Sequence, residues 1–132
     1  MKADGPCNAT LLALCSEPPS ERVRSAIGAS ALRLGHQVAP AFACTALASP
    51  QELRLLVFEL DPWAVVALDD EAAGLLRAAF GDEAQGLEAD TPVEACGYTL
   101  VAVPGFGSCF DTPELKRLAW TRLGAVRHPA PL

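Results

Sequence analysis

Histidine is scarce in this sequence: His36 and His128 are its only two in 132 residues. Any nucleophile that needs an imidazole base must recruit one of them, because Ser and Cys are weak attackers unless a base lies alongside. The five cysteines, Cys7, Cys15, Cys44, Cys96 and Cys109, are odd in number and contain no C-x-x-C pair. That spacing excludes zinc-finger and ribbon sites, and it predicts reduced thiols in a cytoplasmic chain rather than a disulfide scaffold. No apolar run approaches the ~18 residues of a membrane span. The opening Met1-Lys2-Ala3-Asp4-Gly5-Pro6 lacks the apolar segment of a signal peptide. Neither G-x-G-x-x-G after a strand nor G-K-[ST] is present, so the usual phosphate-cradling loops are missing. No cofactor and no metal is expected.

What is present is an ordinary globular composition, 51% hydrophobic and 20% charged, long enough for one domain over residues 1–132 with a sizeable core. The formal net charge is −6 and is unevenly distributed. Residues 52–94 hold eleven acids against the two bases Arg54 and Arg77. Residues 111–132 hold two acids, Asp111 and Glu114, against four bases, Lys116, Arg117, Arg122 and Arg127. An acidic middle argues against a protein that coats DNA, since phosphate affinity comes from Lys and Arg that release counterions. A weak nucleic-acid contact is left only to the last helix, through Lys116, Arg117 and Arg122.

Strand-like and helix-like segments alternate. Ala9-Thr10-Leu11-Leu12-Ala13-Leu14-Cys15 is a short continuous apolar run, expected as a strand buried on both faces. Ser20 opens a helix to Leu34, with Val23, Ile27, Ala31 and Leu34 as its apolar stripe and Gly35 as its stop. Residues 37–45 read as a second strand. Pro40 lacks an amide hydrogen, which places that strand at a sheet edge or on a bulge. Ser49-Pro50-Gln51-Glu52 predicts a capping box with Pro at N1 and a helix to Leu60. Trp63 to Leu68 gives a third strand, and Asp69-Asp70-Glu71 opens a helix to Phe80-Gly81. Residues 82–92 read as acidic and irregular, and 92–96 with 98–103 as a tight hairpin about Gly97. Asp111 is expected to cap a final helix with Leu115, Leu118, Ala119, Arg122 and Leu123 on one face. The tail His128-Pro129-Ala130-Pro131-Leu132 is expected to be loose. The fold class is therefore α/β: a three-layer α/β/α sandwich on a mostly parallel four-stranded sheet, with an extra short hairpin strand.

In such a sheet a ligand sits beyond the carboxyl ends of the strands. The loops at that edge supply Ser16 and Glu17, then Asp69 with Asp70, then Gly105, Phe106, Ser108 and Cys109. Glu17 is the candidate general base. Ser16, Asp69, Gly105, Phe106, Ser108 and Cys109 are the candidate ligand-binding residues. The carboxylates of Asp69 and Asp70 suit a metal, but acids at a helix start are expected from capping alone. His36 follows the first helix and so falls at the opposite edge.

The order of these motifs resembles a shortened uracil-DNA glycosylase superfamily domain of the family 4 type. A first strand ending in a motif like G-E-x-P-G corresponds to Leu14-Cys15-Ser16-Glu17-Pro18-Pro19-Ser20. A segment like P-E-E-I corresponds to Pro50-Gln51-Glu52-Leu53, and one like P-x-V-I-V-A-L-G-x-x-A to the residues from Asp61 to Ala73. A last strand ending in H-P-S, then a helix with Lys/Arg and Trp, corresponds to Val103-Pro104-Gly105 and Lys116-Arg117-Leu118-Ala119-Trp120. The resemblance implies the fold and carries over Glu17 as a catalytic position. It also implies lost chemistry. Val103 stands where the family's His stabilises the departing uracil, Gly105 replaces the Ser, the uracil-pocket segment is missing, and the iron–sulfur cysteines are unmatched. The expected function is a glycosylase-like domain that no longer excises uracil and binds a partner or small ligand. The alternatives are a divergent enzyme on a nucleobase or nucleotide with Glu17 as base, and a protein-interaction module acting through residues 82–94 or as a homodimer.

Overall fold

The computed structural model describes residues 1–87 and 91–128. Part of the acidic 82–94 segment and the tail beyond His128 therefore lie outside the described residues. The elements are β1 (Ala3–Asp4), β2 (Leu11–Cys15), α1 (Glu21–Arg33), β3 (Ala41–Cys44), α2 (Pro50–Leu60), β4 (Ala64–Ala67), α3 (Asp70–Phe80), β5 (Val93–Ala95), β6 (Tyr98–Ala102) and α4 (Pro113–Leu123), with short 3-10 turns at Gly81–Ala84, Phe106–Ser108 and Gly124–Val126.

The six strands form one sheet in the order β1-β3-β2-β4-β6-β5. β3, β2, β4 and β6 run parallel, while β1 and β5 pair antiparallel at the two edges. The expected mostly parallel four-stranded sheet is therefore corrected to a mixed, six-stranded one. A two-residue strand such as β1 carries no periodicity to detect. It forms because Ala3 and Asp4 lie in register with Ala43 and Phe42. Pro40 precedes β3, so no ladder hydrogen bond is asked of it, and β3 is not the edge strand that the proline predicts.

Each central strand is buried on both faces, and successive side chains feed opposite cores. Leu12, Leu14, Val65, Ala67, Leu100 and Ala102 point toward α2 and α3, where they meet Leu53, Val57 and Leu76. Leu11, Ala13, Cys15, Val66, Val101 and Val103 point the other way, against Val23, Ile27, Ala119 and Leu123 of α1 and α4. Full burial of a residue such as Ile27, which is 0% exposed, contributes about 1.5–3 kcal/mol.

The helix starts are local chemistry. Ser20 caps α1 by accepting from the Val23 amide. Ser49 and Glu52 close a reciprocal capping box on α2, at 3.1 Å in each direction. Asp69 caps α3. The β5–β6 turn is Cys96-Gly97, with φ of 52° and 86°, the positive values that a two-residue hairpin loop requires. α4 departs from expectation. Its N-cap is Thr112 without a side-chain bond, while Asp111 lies 3.6 Å from the Arg22 guanidinium on α1. Leu115 and Leu118, expected in the core, are 49% and 39% exposed. The first turns of α4 run alongside the 104–110 loop, where a hollow of about 150 Å³ remains beneath them.

The amino ends of the parallel strands are closed by His36, which is 2% exposed. One ring nitrogen lies 2.7 Å from the Val126 carbonyl and the other 2.7 Å from the Thr10 hydroxyl. A carbonyl only accepts, so Nε2 carries the proton and Nδ1 accepts from Thr10. Burial, reinforced by the neighbouring His128 ring, pulls the pKa of His36 below its ordinary value against the opposing pull of the Val126 carbonyl. Among the described residues no helix is long and apolar enough to cross a membrane.

Candidate functional site

At the carboxyl ends of the parallel strands the chain leaves β2 toward β3 on one side, then returns across β2 to reach β4 on the other. Loops diverge at such a reversal and leave a crevice between them. A cleft of about 400 Å³ lies there. Ser16, Glu17, Asp69, Gly105 and Ser108 line it together with Gly107 and the Pro18-Pro19 turn.

Asp69 is the best-fixed group in the cleft. Its Oδ2 accepts from the Ser16 amide at 2.8 Å and from the Ser16 hydroxyl at 3.0 Å, while Oδ1 accepts from the Ala72 amide at 2.8 Å. Both oxygens thus tie the end of β2 to the start of α3. A carboxylate held in this way is a clamp, with little lone-pair capacity left for a metal or a proton in flight. The Ser16 carbonyl in turn accepts from the Cys44 thiol at 3.4 Å, so the loop after β2 is anchored from two neighbouring strands.

Glu17 stands exposed on the rim. Among the described residues it belongs to none of the ion pairs within 4.0 Å, which join the amino terminus to Glu52, Arg22 to Asp111 and Arg24 to Asp4. Gly105 holds φ at +74°, and open space surrounds the position a Cβ would take. It begins the turn that sets Ser108 on the cleft wall. Phe106 does not form that wall, contrary to expectation. It is 4% exposed, belongs to the α1/α4 core and meets Phe110 edge-on at 5.5 Å. Cys109 is likewise buried, in the hollow under α4 rather than in the cleft. Phe106 is the one aromatic in 104–109, and its place among small residues fits inward packing as well as a stacking wall.

The chemistry available is limited. Burial, followed by the Asp69 charge, pushes the Cys15 thiol up to about 11. Burial also raises the Cys109 thiol. Neither is a thiolate near neutral pH. Ser108 has no imidazole in the cleft, because His36 is locked at the far edge of the sheet. No group of three or more His, Cys, Asp or Glu among the described residues is placed to hold a metal ion. The N-termini of α1 and α3 bring partial positive charge to the cleft. Glu17, Glu21, Asp69, Asp70 and Glu71 surround those same ends, so a neutral polar ligand suits the cleft better than an anion.

No protein-family model matches the chain, and no curated protein is detectably similar to it. The site must be read from its own geometry.

The bases proposed for a nucleic-acid contact do not share one surface. Lys116 faces α1, Arg122 lines the hollow under the 104–110 loop, and Arg117 is exposed. Arg22 and Arg33 lie off the apolar stripe Val23, Ile27, Ala31 and Leu34 of α1. Their positions opposite Phe110 and Trp120 emerge only when α1 and α4 lie side by side.

Proposed function

We propose that the chain is a non-catalytic, glycosylase-like, three-layer α/β/α domain of the cytoplasm. It binds a small, neutral, polar ligand of the nucleobase class in the cleft beyond β2 and β4. The observation that carries this reading is the commitment of Asp69: both its oxygens are bound to the protein's own amides and hydroxyl, with no imidazole in the cleft to replace it. The cleft keeps the hydroxyls of Ser16, Ser20 and Ser108 and the backbone of Gly105 and Gly107, a donor and acceptor set suited to the edge of a heterocycle. Val103, in the position of the family's leaving-group His, is buried and cannot donate a hydrogen bond. Helices packed on both faces of the sheet support the layered fold, and the five free thiols support a reducing compartment.

A second reading retains catalysis, with Glu17 as base and the 104–109 loop as donor, because Glu17 and that loop line the same cleft. One assay separates the two. A single-stranded oligonucleotide carrying one uracil is incubated with the protein and with Glu17→Ala, and abasic sites are counted. Free uracil is titrated in parallel, following the amide resonances of Ser16, Gly105, Gly107 and Ser108. The expected result is no abasic site and saturable shifts confined to the cleft. Excision abolished by Glu17→Ala would establish the catalytic reading, and shifts absent at millimolar uracil would remove the nucleobase class.

A further inference from the structure

A second concavity lies elsewhere, on the face covered by α1 and α4. There a groove of about 570 Å³ runs between the two helices. Its α1 side is a stripe at helical spacing, with Arg22 at one end, Arg33 at the other, and the small residues Ala26, Ala29 and Ser30 between them. Its other side is Phe110, Lys116 and Trp120. The Arg22 guanidinium sits 4.6 Å from the Phe110 ring centroid, and that of Arg33 sits 4.8 Å from the Trp120 ring. Two cation–aromatic pairs are thus repeated along one groove, with Lys116 as a third cation.

The charge distribution gives this arrangement a direction. Three bases, Arg22, Arg33 and Lys116, line the groove, and no acid does. The chain as a whole carries −6, so a basic groove is set on an acidic protein. Asp111 offsets Arg22 at 3.6 Å, but both side chains are largely in solvent, where such a pair is weak. No carboxylate among the described residues lies within 4.0 Å of Arg33 or Lys116.

We infer that the groove between α1 and α4 is a binding site for short single-stranded nucleic acid. Phosphates meet Arg22, Arg33 and Lys116, and bases stack on the Trp120 and Phe110 rings and on the outer faces of the guanidinium planes. The spacing selects a polymer. Arg22 and Arg33 are eleven residues apart on α1, about 16 Å of helical rise, more than one nucleotide can bridge while stacking at both ends. An acidic peptide would satisfy the cations and leave the rings unused. The inference does not depend on the cleft beyond β2 and β4, which lies at the strand ends and shares no lining residue with the groove.

The test is fluorescence anisotropy with a short labelled oligothymidylate, in wild type, Arg33→Gln, Lys116→Gln and Trp120→Leu. Thermal melts show which variants are folded. The three substituted residues lie outside the cleft, so a lack of effect on binding overturns the groove reading and leaves the cleft reading untouched. Binding should weaken with salt, with a log–log slope of about −2 for three phosphate contacts. Arg33→Gln and Lys116→Gln, both at exposed positions, should each lower that slope by about 0.7. Trp120→Leu should weaken binding about tenfold. The inference is overturned by no binding at low salt, by unchanged affinity in Arg33→Gln and Lys116→Gln, or by a polyglutamate peptide that competes as well as the oligonucleotide.

Discussion

Replacing Asp69 by Ala tests whether this carboxylate is a structural clamp or a reserve for chemistry. The side chain makes three hydrogen bonds, to the Ser16 amide, the Ser16 hydroxyl and the Ala72 amide, all between 2.8 and 3.0 Å. Loss of the cap on α3 alone costs about 1 kcal/mol. Each bond from Ser16 to a charged acceptor is worth about 1.5–3 kcal/mol when buried. Asp69 is only half-buried, and water can reach the Ser16 groups once the carboxylate is gone, so the lower end applies. The Asp69→Ala variant should therefore lose about 4 kcal/mol, a large part of the roughly 5–15 kcal/mol typical of a domain.

Two companion variants sharpen this. Asp69→Asn keeps an oxygen for the Ala72 amide but turns an NH2 toward the Ser16 amide, so it should lose about 1–2 kcal/mol. Ser16→Ala removes the hydroxyl bond alone, about 1.5 kcal/mol. In the double variant the losses should fall short of additive, since the two residues share that bond. Urea unfolding followed by far-UV circular dichroism gives each value, with the slope unchanged if only native contacts are altered. A loss below about 0.5 kcal/mol for Asp69→Ala would refute the clamp and return Asp69 to the list of groups free to act on a ligand.

His36 should make the fold sensitive to acid. Its native pKa lies below the ordinary 6.5 because of burial, so its contribution is complete above that pH and is lost progressively as pH falls below it. Urea midpoints between pH 7 and 5 should show the decline, and His36→Gln should flatten it at the expense of lower stability at neutral pH. The thiols should separate by reactivity: the exposed Cys7 alkylates readily, whereas Cys15, buried and pushed up to about 11, reacts far more slowly, as mass spectrometry of iodoacetamide-treated protein would show. Cys96, with φ of 52° ahead of Gly97, occupies a place where Asn is less strained. Cys96→Asn should raise the melting temperature by about 2 °C, and a fall would show that the Cys96 contact with Glu83 matters more than the turn.

How much the sequence revealed depended on whether the deciding chemistry was local. The capping box at Ser49 and Glu52, the Ser20 cap and the Cys96-Gly97 hairpin each involve residues within a few positions of one another, and each forms as expected. The errors have non-local causes. β1 exists only through its pairing with β3, and that pairing also removes β3 from the edge where Pro40 had placed it. Asp111 had every property of an N-cap but turns to Arg22, which is far away in sequence and adjacent in space. Leu115 and Leu118 fall on the expected stripe, yet the 104–110 loop, not the sheet, lies beside them. In the cleft, the positions of Ser16, Glu17, Asp69, Gly105 and Ser108 follow from strand polarity, which alternation of elements makes legible. The inward turn of Phe106 and Cys109 depends on how a single 3-10 turn rolls, and no spacing encodes that.

The two ends of the sheet are built for different purposes, and the connectivity explains why. At the amino ends, Thr10, His36 and Val126 come from three distant segments and close the edge with both imidazole nitrogens used. At the carboxyl ends, the reversal of direction between the β2-to-β3 and β3-to-β4 crossovers forces the loops apart. The crevice is therefore a property of strand order, and it does not require any particular residue in the loops. Asp69 then fixes part of its wall by joining the β2 loop to α3. This separation of shape from chemistry lets the crevice keep its place and its lining of hydroxyl and amide groups, from Ser16, Gly105, Gly107 and Ser108, with no titrating side chain required to form it.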